Sequence, residues 1–204
     1  MKGELRPLDI ARFDVAWNRS WSGCPPATHL LRHRFAEQWV RFHTLPGSKR
    51  YASSETERDE ILRRHHALLL ALLGEATTGC RQTLMAVTCS WSVTSSPTRR
   101  DSAVAAAVPR ATHWRSDDLA TEPGFHSWQH HYASPLTLTD PELDGLLMCV
   151  ADDMTDGVIL TDVNCTWVFH PYDGGAEVLA SSRQERDQLA AAYADWLPPV
   201  PSET

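Results

Sequence analysis

The residues best equipped for chemistry stand in two short stretches far apart in the 204-residue chain. The first is Arg41-Phe42-His43-Thr44-Leu45-Pro46-Gly47-Ser48-Lys49-Arg50-Tyr51. From Arg32 to Arg50 four arginines and one lysine stand against Glu37 alone, in a chain whose formal net charge is −7. Guanidinium and ammonium groups after a Pro-Gly turn can hold an anion: a phosphate, a carboxylate or an acidic partner. The second stretch, His170-Pro171-Tyr172-Asp173-Gly174-Gly175, sets one carboxylate in a constrained turn beside a phenol and an imidazole. The candidate ligand- or partner-binding residues are therefore Arg41, His43, Lys49, Arg50, Tyr51, Tyr172 and Asp173. A structural alternative pairs the cations with the chain's own acids, such as Asp173 or Glu177, and has Asp173 bond its own backbone in the turn.

Other chemistries find less support. His126, His130 and His131 lie in G-F-H-S-W-Q-H-H-Y. On a strand His126 and His130 share a face but stand roughly 13 Å apart, and His130 and His131 point to opposite faces. His65 and His66 diverge by about 100° on a helix. With no C-x-x-C or H-E-x-x-H spacing, neither a metal nor a cofactor is expected. There is no G-x-S-x-G elbow, no phosphate loop and no G-x-G-x-x-G after a strand, so no catalytic residue is assigned.

The acidic balance argues against nucleic acid, which needs a basic footprint. It permits a protein partner with a basic surface. Cys24, Cys80, Cys89, Cys149 and Cys165 are odd in number and irregularly spaced, as suits free thiols in a reducing cytoplasm. The first residues show no apolar signal region, and the longest apolar run, Ala67 to Leu73, is too short to span a membrane.

The elements that must position the two stretches follow from periodicity. Residues 1–27, with Phe13, Val15 and Trp17 alternating, suggest an irregular arm packed by its aromatics. Leu31, Phe35, Trp39 and Phe42 predict a helix over Thr28–Phe42, whose C-terminal dipole would favour the cations that follow. Ser54 and Glu57 form a capping box for a second helix, buried through Ile61, His65, Leu68, Leu69 and Leu72 and closed by Gly74. Thr83–Val93 alternates as a strand. Residues 94–110 suggest a mobile surface loop with at most one helical turn, and strands follow near Thr112–Arg115 and Phe125–Ala133. Asp140-Pro141-Glu142 opens a helix with its stripe at Leu143, Leu146, Leu147 and Val150. A short strand over Gly157–Thr161 leads to a hairpin at Asn164–Leu179. There Cys165, Trp167 and Phe169 face one way, and Thr166, Val168 and His170 the other. Pro171 is expected to block further pairing, and Asp173-Gly174-Gly175 to supply positive-φ positions in the turn. Ser182 and Glu185 cap a last helix that buries Leu189, Ala192, Tyr193 and Trp196. Strands in blocks rather than singly between helices predict an α+β fold, a single domain over 1–204 with a mostly antiparallel sheet of five to six strands and helices packed on it.

Two motifs carry a resemblance. R-F-H-T-L-P-G-S-K-R-Y near the first helix, and W-V-F-H-P-Y-D-G-G-A-E-V-L before a helix ending in D-W-L, resemble a family of small, uncharacterised bacterial cytoplasmic proteins. Its signatures are R-F-H-S-L-P-x-S-K-R-Y and Y-D-G-G-x-D-V. The likeness covers Pro26–Leu73 and Val158–Leu197, with Glu177 where the family has Asp. The resemblance implies a common fold, a bacterial cytosolic setting, and a place for both motifs in one unit, with Lys49-Arg50-Tyr51 beside Tyr172-Asp173. It implies no reaction. The expected function is a non-enzymatic binding protein of the immunity or antitoxin kind, masking a partner with a basic surface. The alternative is an enzyme or sensor for a small anionic ligand, using the 41–51 segment and the 170–175 turn. A third reading makes both motifs determinants of the fold.

Overall fold

The computed structural model describes residues 7–74 and 83–199; Cys80 lies outside them. Seven strands form one antiparallel sheet: β1 (Trp39–His43), β2 (Thr83–Ser92), β3 (Thr112–Asp118), β4 (Trp128–Thr137), β5 (Ile159–Asp162), β6 (Val168–Tyr172) and β7 (Gly175–Leu179). Their order is β1-β7-β6-β5-β2-β4-β3. Six α-helices are described: α1 (Pro7–Ser20), α2 (Thr28–Arg34), α3 (Glu55–Leu73), α4 (Ser102–Ala107), α5 (Pro141–Ala151) and α6 (Arg183–Ala192). The α+β class holds, with seven strands rather than five to six.

Period-2 alternation divides the core in two. Leu84, Ala86, Leu160, Phe169, Val178 and Phe42 send their side chains to the face covered by α3, α4, α5 and α6. Met85, Val87, Ile159, Val168 and Leu179 face the opposite way, onto Phe13, Trp17, Trp21 and Leu31 of the N-terminal helical region.

The extra strand is β1, at the end of the expected first helix. That helix stops at Arg34, and Trp39–His43 pairs with β7, Arg41 opposite Glu177 and His43 opposite Gly175. As a helix this segment would leave one edge of β7 with unpaired backbone groups; as a strand it supplies their partners. Arg41 and Lys49-Arg50 therefore gain nothing from a helix dipole. Only Arg32, His33 and Arg34 occupy the last turn of α2.

The expected N-terminal arm is the helix α1. Phe13, Ala16 and Trp17 follow helical spacing and are buried, while Val15, which alternation would have buried, is 67% exposed. The indole N–H of Trp17 donates to the Cys24 carbonyl at 2.7 Å and ties the helix to the turn after it. Within 94–110, Asp101 accepts from the backbone N–H of Ala103 and starts α4, which buries Val104.

The hairpin departs from expectation in three details. Cys165 has a left-handed φ of 55°, so alternation restarts after it: Cys165 joins the α1 side with Val168, while Trp167 and Phe169 face α3 and α5. Pro171 lies inside β6 opposite Ala176, beyond the single Leu160–Phe169 pair that joins β6 to β5. Neither Gly174 nor Gly175 has a positive φ; in these two stretches the left-handed residues are Gly47 and Ser48. The glycines at the turn answer a demand for space. A Cβ on Gly175 would lie 1.9 Å from the Phe42 carbonyl oxygen and 2.9 Å from the Tyr172 hydroxyl.

Candidate functional site

The edge strands lay the candidate residues out in rows. Cross-strand register puts Arg41, Glu177 and His170 side by side on the α1 and α2 face of the sheet, and His43, Gly175 and Tyr172 in the next row. Because Gly175 has no side chain, the Tyr172 ring can lie across its position toward Arg41, whose guanidinium carbon is 5.3 Å from the ring centroid. The centre of the patch is Glu177, which is 6% exposed. One of its oxygens, Oε1, accepts from both Arg41 and Arg32, the latter at 3.1 Å. Arg32 reaches it from the last turn of α2. Trp39 lies against both cations, 5.8 Å from Arg32 and 5.5 Å from Arg41.

Charge at this patch is uneven. Burial alone would raise the Glu177 carboxyl, but His170 and Arg41 beside it hold it down to about 2. His170 Nδ1 stands 3.8 Å from Oε2, longer than a hydrogen bond. Burial works against the charge on Arg41, yet its bond to Glu177 raises its pKa overall. His43 is pushed down by burial, then by Arg41 and Arg64. Two guanidinium groups thus share one carboxylate. Three buried nitrogens around it, Arg41 Nε, Trp39 Nε1 and His170 Nδ1, have no hydrogen-bond partner.

The second meeting point is Asp173. Its Oδ2 receives Arg50 Nε at 2.9 Å and the Tyr51 hydroxyl at 2.9 Å, so the two distant stretches do touch. The bond to Asp173 raises the Tyr51 phenol. Lys49 takes another route, to both oxygens of Glu57 at 2.6 Å and to Ser53. Arg41, Arg50, Tyr51, Tyr172 and Asp173 therefore make one connected surface; His43 flanks it and Lys49 lies apart. Trp39, His170 and Glu177 join it through strand register, a signal hidden while Trp39–His43 is read as helix, and Arg32 joins from the end of α2.

A second polar assembly lies at the other end of the sheet. His130 is fully buried. Its Nε2 contacts Ser92 Oγ at 2.9 Å, its Nδ1 contacts Ser116 Oγ at 2.7 Å, and Ser116 Oγ contacts His113 Nε2 at 3.0 Å. His130 and His131 lie on opposite faces of β4, as strand alternation requires; the serines come from β2 and β3 on either side and leave no trace in the spacing of β4. Ser116→Ala is expected to lower unfolding free energy by about 1–2 kcal/mol, because it strips a buried imidazole nitrogen of its partner. Urea denaturation beside the exposed control Ser95→Ala would measure it; equal values would show that His130 does not depend on this bond. Among the described residues no group of three or more His, Cys, Asp or Glu is placed to hold a metal ion, and no helix is long and apolar enough to cross a membrane.

A family model described as a domain of unknown function (DUF3885) matches residues 27–201. No curated protein and no solved structure matches the chain.

Proposed function

The chain belongs to the DUF3885 family, and from that premise we propose that it is a non-enzymatic binding protein that captures an anionic group, carboxylate or phosphate, at the Arg32–Trp39–Arg41–Tyr172 patch. Every residue of the patch falls inside the matched span. The observation that carries the reading is the sharing of one Glu177 oxygen by two arginines. One cationic charge is left over, on guanidinium groups that stay 45% and 36% exposed. Guanidinium presents its donors in a fixed fork suited to carboxylate and phosphate, and flanking aromatic rings add stacking area. The Arg50–Tyr51–Asp173 network ties the neighbouring turn to the 41–51 segment. A bacterial cytoplasmic setting belongs to the same proposal; the resemblance and, among the described residues, the buried free cysteines Cys24, Cys89, Cys149 and Cys165 support it.

The test is a thermal-shift and calorimetric screen at low salt against inorganic phosphate, citrate and short dicarboxylates. One class is expected to raise the melting temperature by several degrees, since a ligand of the native state stabilises it by mass action. Arg41→Gln is expected to weaken that binding about tenfold or more, a loss of about 1.4 kcal/mol, while Lys49→Gln leaves it unchanged. No response to any anion, or equal responses in both variants, would overturn the proposal. The other binding reading, an immunity-like mask for a basic partner, draws on the net charge of −7. It is favoured instead if a basic protein co-purifies from the native host and Arg41→Gln does not release it.

A further inference from the structure

A groove of about 490 Å3 runs beside α1, where the helix meets the beginning of β2 and the β5–β6 turn. Its size lies within the range of small-molecule sites. Phe13 and Ala16 of α1, Met85 of β2 and Pro135 of β4 supply apolar lining. At its rim Val15 and Val163 are 67% and 48% exposed, two of the few large apolar side chains left to solvent.

The charge is as selective as the shape. Arg12 and Arg19 both line the groove, and among the described residues no carboxylate does, although the chain is acidic overall. The two arginines are seven residues, two helical turns, apart, so they share a face at an axial separation of about 10.5 Å. Both are exposed, and among the described residues neither forms an ion pair. Of the two acids on this helix, Asp9 and Asp14, Asp14 is engaged elsewhere: it accepts from the Trp114 indole at 2.9 Å and from Asn18. An apolar trough with a cation toward each end fits a straight hydrocarbon chain carrying one anionic head, whose tail covers the valines while either guanidinium takes the head.

We propose that this groove binds a medium-chain fatty acid as its carboxylate. It lies apart from the Glu177 patch, and it draws on different residues. The full chain would be titrated with decanoate, decyltrimethylammonium and 1-decanol below their aggregation limits, with melting temperature and native mass spectrometry as readouts. Decanoate is expected to raise the melting temperature by several degrees and give a one-to-one adduct, the cationic amphiphile to give neither, and the alcohol to fall well short. The double variant Arg12→Gln, Arg19→Gln changes only exposed side chains, so its circular dichroism should match the parent, and it should lose the preference for decanoate. Val15→Asp should weaken binding about tenfold by placing a like charge at the rim. Equal stabilisation by all three compounds, or a decanoate response unchanged in the double variant, would overturn the proposal. Sedimentation with phosphatidylglycerol vesicles without a decanoate adduct would also overturn it, in favour of a membrane surface.

Discussion

Gly175→Ala is expected to cost about 3 kcal/mol or more of stability, among the largest effects of any single methyl added to this chain. The added Cβ would stand 1.9 Å from the Phe42 carbonyl oxygen and 2.9 Å from the Tyr172 hydroxyl. The first obstacle is backbone, so relief requires β1 to move away from β7 and give up part of a five-residue ladder. Overpacking that displaces backbone costs about 1–3 kcal/mol by itself, and weakened ladder hydrogen bonds add to it. The neighbouring glycine is the internal control. A Cβ on Gly174 meets only the edge of the Tyr172 ring at 3.2 Å and Arg50 Cγ at 3.5 Å, both on side chains that can give way. Gly174→Ala is therefore expected to cost less than about 1 kcal/mol. Urea unfolding of the two variants measures the difference, and similar losses would remove the steric account of Gly175. Because Arg41 rides on β1, the Gly175 variant should also lose anion binding in proportion to the shift of that strand, even where it remains folded.

How far these features could be read from sequence depended on the range of the forces that set them. The capping boxes were legible because they are local: Ser54 accepts from the Glu57 backbone N–H and Ser182 from that of Glu185. The long strand β2 was legible because ten residues of alternation admit one period only. Trp39–His43 was not. Phe35, Trp39 and Phe42 satisfy the spacing of a helix, while Val40 and Phe42 satisfy that of a strand, and five residues cannot decide between them. What decides is β7, more than 130 positions away, with an edge to be paired. The same ambiguity made α1 look extended, since Phe13 and Trp17 share a face on either reading; Val15 and Ala16 separate the two only once burial is known. The contact of Arg50 and Tyr51 with Asp173 was anticipated from the resemblance that put both motifs in one unit. The pairing of the cations with Glu177 was anticipated as the structural alternative and is found, but its layout was not, because the Arg41–Glu177–His170 row exists only in the register of β1, β7 and β6.

That row makes Glu177 the second residue whose replacement should have a large effect. Its folded pKa lies near 2 against an ordinary value of 4.5. A depressed carboxylate contributes stability that is fully present above 4.5 and is lost as pH falls through 4.5 toward 2. At about 1.36 kcal/mol per pH decade the gap corresponds to about 3 kcal/mol. Arg32 and Arg41 are 45% and 36% exposed, so solvent screens part of their attraction and about 2 kcal/mol is expected. Glu57 and Glu60 also lie near 2, so the parent keeps an acid limb of its own. The difference between parent and Glu177→Gln, followed by urea unfolding from pH 7 to pH 2, isolates this one carboxyl. It should shrink from about 2 kcal/mol at neutral pH to near zero at pH 2; parallel curves would mean that Glu177 carries no such coupling. The same variant separates a structural patch from a binding one. Glutamine keeps the shape but no longer neutralises Arg32 and Arg41. If the patch serves only the fold, stability falls and affinity for phosphate or carboxylate stays absent. If Glu177 occupies the place an external anion would take, stability falls while anion affinity rises, and added anion should restore part of what the substitution removed.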